Sequence, residues 1–212
     1  MKWLMETIRT PIGKKLLMAA TGLAFVLFLL VHLLGNLLLY KGPEAFDAYA
    51  ARLHSLGVIV AVAETGLLIF AVVHIITGLL LFFENFKARP VRYAVKKTAG
   101  GRTIGSATMP YTGLLILGFV ILHLINFRFP AKAPESVYAS VAALFGAWPY
   151  MLIYSAAVIV VAIHIRHGFW SLFQTAGLNH EKYMPFILGV GIALSLLFAF
   201  GFGLIPVYMG LF

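Results

Sequence analysis

Apolar residues run almost unbroken through five stretches of the chain, roughly Leu16–Tyr40, Leu56–Phe83, Tyr111–Phe127, Tyr150–Phe173 and Tyr183–Tyr208. The third is the shortest, and Thr103–Pro110 leads into it, so that span is taken from about residue 105 to 127. A helix rising 1.5 Å per residue needs ~20 apolar residues to cross the hydrocarbon core of a bilayer. The pattern therefore predicts an all-α membrane protein with five transmembrane helices, one domain over residues 1–212. The longest polar stretch, about Glu84–Ser106, leaves no room for a soluble domain. The first run is too long for the core of a secretory signal and lacks a small-x-small cleavage site.

Composition agrees. Of 212 residues, 62% are hydrophobic and 11% charged, with a mean hydropathy of +0.98; soluble domains carry about 25% charged residues. The chain has no cysteine, which excludes disulfides, thiolate-bound iron–sulfur clusters, thioether-attached haem and a cysteine nucleophile. No glycine-rich dinucleotide or phosphate loop follows a strand pattern, so substrate oxidation or nucleotide chemistry belongs to a partner. The net charge of +9 reads as a topology signal rather than nucleic-acid binding. Lys2, Arg9, Lys14, Lys15, Lys87, Arg89, Arg92, Lys96, Lys97, Arg102, Arg166 and Lys182 fall on one side of a five-span chain. Only Lys41, Arg52, Arg128 and Lys132 fall on the other. The excess of basic residues in cytoplasmic loops then predicts a cytoplasmic N-terminus and an external C-terminus. Trp148, Trp170 and the tyrosines at span ends suit an interfacial aromatic belt.

Within the spans lies a repeat. Thr21 to His32 reads TGLAFVLFLLVH and Thr112 to His123 reads TGLLILGFVILH, so T-G-L, eight residues and a histidine recur 91 positions apart. HIITG, His74 to Gly78, is echoed by HIRHG, His164 to Gly168, 90 positions on. In this register His164 corresponds to His74, and His167 has no histidine counterpart. His74 and His164 each lie ten residues before a polar inner end, Glu84 and Gln174. At ~1.5 Å per residue both sit about 15 Å from those ends. His32 and His123 fall in the outer half. Four helices thus carry four histidines as an inner and an outer pair.

An ionisable side chain within a span is costly and suggests function, although a neutral imidazole also serves as an interhelical hydrogen-bond partner. Two histidines facing each other across a four-helix bundle suit bis-histidine ligation of haem, giving two b haems on iron pairs His74/His164 and His32/His123. Gly78 and Gly168, one turn from the inner histidines, offer clearance or simply close helix packing; Thr21 and Thr112 project to the inner level. A zinc or transporter site on His164 and His167, which share a helical face at i and i+3, is the competing use, but neither has a carboxylate nearby. Glu64 and Tyr154, equivalent in the repeat, reach the outer level. Glu64, the only carboxylate inside a run, is a candidate for proton exchange with a quinone, or else a protonated acid bonded to a neighbouring helix. Lys41, Arg52 and Arg128 at the outer rim, and Lys87 and Arg166 at the inner rim, suit haem propionates or ordinary interfacial anchoring. His54 and His180 lie in or beside loops, in solvent.

The segments PIGKKLLMAATGL, VHLLGN, GPEAFDAYA and HGFWSLFQT resemble those of the five-helix, di-haem cytochrome b subunit of succinate:menaquinone oxidoreductases and the related fumarate reductases, from about Pro11 to the fifth span. The resemblance implies that His32, His74, His123 and His164 ligate a proximal and a distal haem b. It also implies a flavoprotein and an iron–sulfur subunit anchored on the cytoplasmic face of a bacterial inner membrane, with menaquinone exchanging electrons near the outer haem. Two other classes stay open: the di-haem anchor of a formate dehydrogenase or nitrate reductase type complex, and a non-redox transporter or scaffold whose histidines are packing residues. The fifth span, without histidine, completes the bundle or packs against a second copy in a dimer.

Overall fold

The computed structural model describes residues 2–88, 104–129 and 135–212, and every regular element among them is helical. A short amphipathic helix α1 (Lys2–Arg9) precedes α2 (Pro11–Asn36). Thr10 caps α2 by accepting from the Gly13 amide at 3.0 Å, and Pro11 supplies a preset first turn. A 3-10 turn over Leu37–Lys41 leads to α3 (Pro43–Ser55) through Gly42, whose φ of 93° favours glycine. Then follow α4 (Val58–Lys87), α5 (Ile104–Phe127), α6 (Val137–Gly146), α7 (Trp148–Thr175) and α8 (Met184–Leu211).

Five segments are long and apolar enough to cross a membrane: Pro11–Lys41, Val58–Lys87, Gly105–Phe127, Trp148–Thr175 and Met184–Leu211. They coincide with the five expected runs, and the third begins before Pro110, which lies inside α5. Basic residues Arg89 to Arg102 and Lys132, used in the topology argument, lie outside the described residues.

Around the bundle, α2 packs on α4 and α7, while α5 packs on α7 and more lightly on α4. Helices α2 and α5 therefore stand on one diagonal, and α4 and α7 on the other. The α2–α4 and α5–α7 interfaces are of equal extent, so the sequence repeat is also a structural one. Burial is uneven: of α4 only Thr77 and Leu81 are buried, and of α5 only Thr112, whereas α7 and α8 bury several side chains each.

The α7–α8 contact is the largest in the molecule. Small residues bring the backbones together, as is usual in membranes. Ser195 donates to the Ala162 carbonyl at 2.9 Å, and a Cβ on Gly191 would stand 3.3 Å from Phe169. Phe198 is wholly buried among Val26, Leu33 and Ile165. The fifth span is therefore an integral wall of this chain's own bundle.

Two helices that hydropathy did not foretell, α3 and α6, cover the end of the bundle where α2 finishes and α7 begins. Leu39, Phe46, Val141, Phe145, Tyr154, Ile205 and Met209 form the core beneath them. Asp47 of α3 binds the cap of α6: Ser136 donates its hydroxyl at 2.6 Å and Tyr138 its amide at 2.9 Å. These two donors hold the Asp47 carboxyl below its ordinary pKa. A depressed folded-state pKa contributes stability above the unfolded value, and that contribution is lost as pH falls through the folded value. Asp47→Ala should accordingly melt below wild type at neutral pH, with the gap closing as pH drops beneath the carboxylate range; a gap independent of pH would contradict this account.

Candidate functional site

The four histidines fall at two levels, and each pair spans one diagonal. His32 on α2 faces His123 on α5, with ring centroids 5.9 Å apart and planes at 87°. His74 on α4 and His164 on α7 stand on the other diagonal, each against a threonine of a neighbouring helix. His74 touches α2 at Thr21, eleven residues before His32, which at ~1.5 Å per residue separates the levels by about 16 Å along the helix.

At the His74/His164 level the two halves are built alike. Thr21 Oγ1 lies 3.0 Å from His74 Nδ1, and Thr112 Oγ1 lies 3.0 Å from His164 Nδ1. Each hydroxyl has one proton, and carbonyls of its own helix claim it: Leu17 at 2.8 Å and Met18 at 3.1 Å for Thr21, Thr108 and Met109 at 3.1 Å for Thr112. A carbonyl only accepts. With that proton on a carbonyl, each threonine oxygen accepts from Nδ1–H, in the tautomer that leaves Nε2 unprotonated with its lone pair available. Gly22 and Gly113 lie against the ring edges; a Cβ there would be 3.4 Å from His74 Cε1 and 3.6 Å from His164 Cε1. Phe25 meets His74 edge-on at 5.7 Å. Gly78 and Gly168, expected to give clearance or close helix packing, face Met18 and Met109 across the α2–α4 and α5–α7 interfaces, which is the packing use.

The His32/His123 level is more aromatic. His32 stacks on Phe28 at 5.2 Å and lies 5.6 Å from Phe202 of α8. His123 sits among Phe119, Phe127 and Tyr154, at 6.0, 5.2 and 6.1 Å. Tyr154, on the level expected for it, is buried and accepts from Asn126 at 3.0 Å. Asn36 donates to the His32 carbonyl at 2.8 Å and stands 3.4 Å from its Nε2. His123 Nδ1 is buried with no hydrogen-bond partner among the described residues; leaving such an atom unpaired costs on the order of 1–3 kcal/mol.

Glu64 differs from expectation. It is exposed rather than buried, and Arg128 grips it at two points, Nε to Oε1 at 2.9 Å and Nη2 to Oε2 at 3.0 Å. The pair ties α4 to the end of α5, and the accepting, oppositely charged Glu64 carboxylate raises the Arg128 pKa. Hydropathy marks a carboxylate as lying within a run, not which way it faces, and one turn of α4 decided the matter. Nor is Glu64 the only carboxylate in that helix: α4 extends past Phe83 to include Glu84, which pairs with Lys14 of α2. Lys41, Arg52, Lys87 and Arg166 are exposed, as are His54 and His180. His54 is in the last turn of α3, beside the connection to α4.

His167 lies one turn beyond His164, half-buried and edge-on to Trp170 at 5.3 Å. A Cβ on Gly105 would come within 2.8 Å of its own Cβ, so it packs beneath the first turn of α5. Its repeat counterpart, Thr77, is buried and donates to the backbone of its own helix.

As to what these pairs can hold, no group of three or more His, Asp or Glu occurs among the described residues, and the chain has no cysteine. A metal needing four protein ligands is not matched. A planar macrocycle that brings its own equatorial nitrogens and needs only two axial imidazoles fits the donor set. No family model, no curated protein and no solved structure matches the chain.

Proposed function

We propose that this chain is the membrane anchor and electron-transfer subunit of a succinate:quinone oxidoreductase or fumarate reductase, with His74 and His164 ligating one haem b and His32 and His123 another. The observation that carries the reading is the pairing of four histidines across both diagonals of the bundle at two levels. Haem, when bound, supplies a one-electron carrier at each level. The chain's own part is to present imidazole nitrogens. Thr21 and Thr112 hold the Nδ1 protons, Gly22 and Gly113 border the ring edges, and the aromatic shell around His32 and His123 excludes water. His32 and His123, with ring centres 5.9 Å apart, are the residues that would hold the iron of one haem.

In this reading the N-terminus of α2 is cytoplasmic and the α3–α6 cap external, in a bacterial cytoplasmic membrane, following the distribution of Lys and Arg. A flavoprotein and an iron–sulfur subunit dock on the cytoplasmic end and hold the dicarboxylate chemistry. The quinone, menaquinone by the family resemblance, exchanges electrons at the His32/His123 level. Glu64, paired with Arg128, is the carboxylate proposed to take or give the quinone's proton. Glu64→Gln should then leave both haems in place while slowing quinone turnover at least ~100-fold, the usual worth of a general acid–base group; unchanged turnover would reduce the pair to a clamp between α4 and α5.

The test of the whole reading is a pyridine-haemochrome assay on the purified complex. Two b haems per chain with covalent-flavin and iron–sulfur subunits are expected. A molybdenum subunit in their place would reassign the complex, and a well-folded colourless protein would overturn electron transfer altogether.

A further inference from the structure

We infer that Thr21 and Thr112 are positioning residues that set the electron donation of His74 and His164, and so the redox potential at that level and not at the other; the inference rests on the haem reading above. The T-G dipeptide is the working unit. In each half of the repeat its threonine accepts the Nδ1 proton from a histidine on the neighbouring helix at 3.0 Å, and its glycine lies against the Cε1 edge of the same ring. Both threonines are buried, at 6% and 8% exposure, so water does not compete for the bond. Both hydroxyls have backbone carbonyls one turn back to donate to, which places each threonine to accept from the ring. The arrangement thus selects one tautomer twice, on two histidines that share a diagonal.

Nothing equivalent serves the other pair. Asn36 stands 3.4 Å from His32 Nε2 on the same helix, and His123 Nδ1 has no partner among the described residues. The chemical consequence follows from the direction of the bond. A hydrogen bond from Nδ1–H to an oxygen shifts electron density toward Nε2 and makes it a more basic ligand. A more basic axial ligand favours the more positive, oxidised metal. Removing the oxygen should therefore raise the midpoint potential at the His74/His164 level only.

Valine keeps the branched shape of threonine without the oxygen, and serine keeps the oxygen without the methyl. The experiment is a spectroelectrochemical titration of the full complex carrying Thr21→Val, Thr112→Val, both together, and the matching serine variants. The expected result is a positive shift of one haem in each valine variant, up to about tenfold in the ferric/ferrous ratio (~59 mV for one electron). The shift should be larger in the double variant, return to wild type with serine, and leave the second haem unmoved. Loss of one haem in the valine variants, restored by serine, also supports the role, since such outer partners are worth roughly 10–100-fold in metal affinity. Two haems with unchanged potentials in the double valine variant would overturn this inference while sparing the haem reading. Equal shifts in valine and serine variants would overturn it as a matter of shape. A wild-type complex with no haem would overturn both.

Discussion

On the proposed di-haem reading, His164→Ala is expected to cost the protein one haem, and His167→Ala to cost it neither. The two residues lie three apart on one helix, so composition treats them alike, but their surroundings differ. His164 is held through Nδ1 by Thr112, borders Gly113, and stands on the diagonal with His74. His167 is turned toward the start of α5, where its Cβ crowds Gly105, and rests against Trp170. Its truncation removes a helix–helix contact and should lower the melting temperature modestly without changing the spectrum. A dithionite-reduced minus oxidised spectrum of each variant, with haem counted as pyridine haemochrome, reads the difference directly. Haem loss in His167→Ala with both haems kept in His164→Ala would mean that the repeat register assigns the wrong histidine.

Gly201→Leu is expected to destabilise the bundle by roughly 1–3 kcal/mol, the usual cost of overpacking a close-packed contact, and to deplete haem at the His32/His123 level. A Cβ at this position would already stand 2.8 Å from Leu33 Cδ2. Leu33 is 3% exposed and wedged beside Phe198, itself wholly buried, so its side chain has nowhere to swing. The larger residue must push α8 from α2. Phe202, the next residue along, lies 5.6 Å from His32, and Leu33 follows His32 directly, so the displacement reaches the histidine. Thermal unfolding in detergent and haem stoichiometry measure the two effects together. Full stability with both haems present would show that the α2–α8 contact has slack that the geometry denies.

The parts of this protein that could be read from sequence are those in which one residue type repeats against a uniform background. Five apolar runs of bilayer length stand out whatever their packing, and they coincide with α2, α4, α5, α7 and α8. The T-G-L and H-x-x-x-G repeats located all four histidines and the level of Thr21 and Thr112, because a helix that repeats its residues at one register repeats their depth. What a helix faces is another matter. Gly78 and Gly168 share a helical stripe with the inner histidines, but it is Gly22 and Gly113, on the neighbouring helices, that border the rings; periodicity along one helix does not say which neighbour it meets. Glu64 was expected inside for the same reason and is outside. The α3–α6 cap was hidden because its tie, Asp47 to Ser136, joins residues 89 apart and its helices are short enough to read as connections. The weight carried by α8 was equally silent: no histidine marks it, and small residues at an interface look in sequence like small residues facing lipid.

The pairing of the histidines is the central claim, and pairwise deletion tests it most directly. Haem would be counted in the double variants His32→Ala/His123→Ala, His74→Ala/His164→Ala and His32→Ala/His74→Ala, each checked for folding. If the diagonals define the sites, the first two retain one haem per chain, with complementary spectra, and the third retains none. A haem surviving in the third variant, or none in either of the first two, would contradict the assignment of one iron to each diagonal.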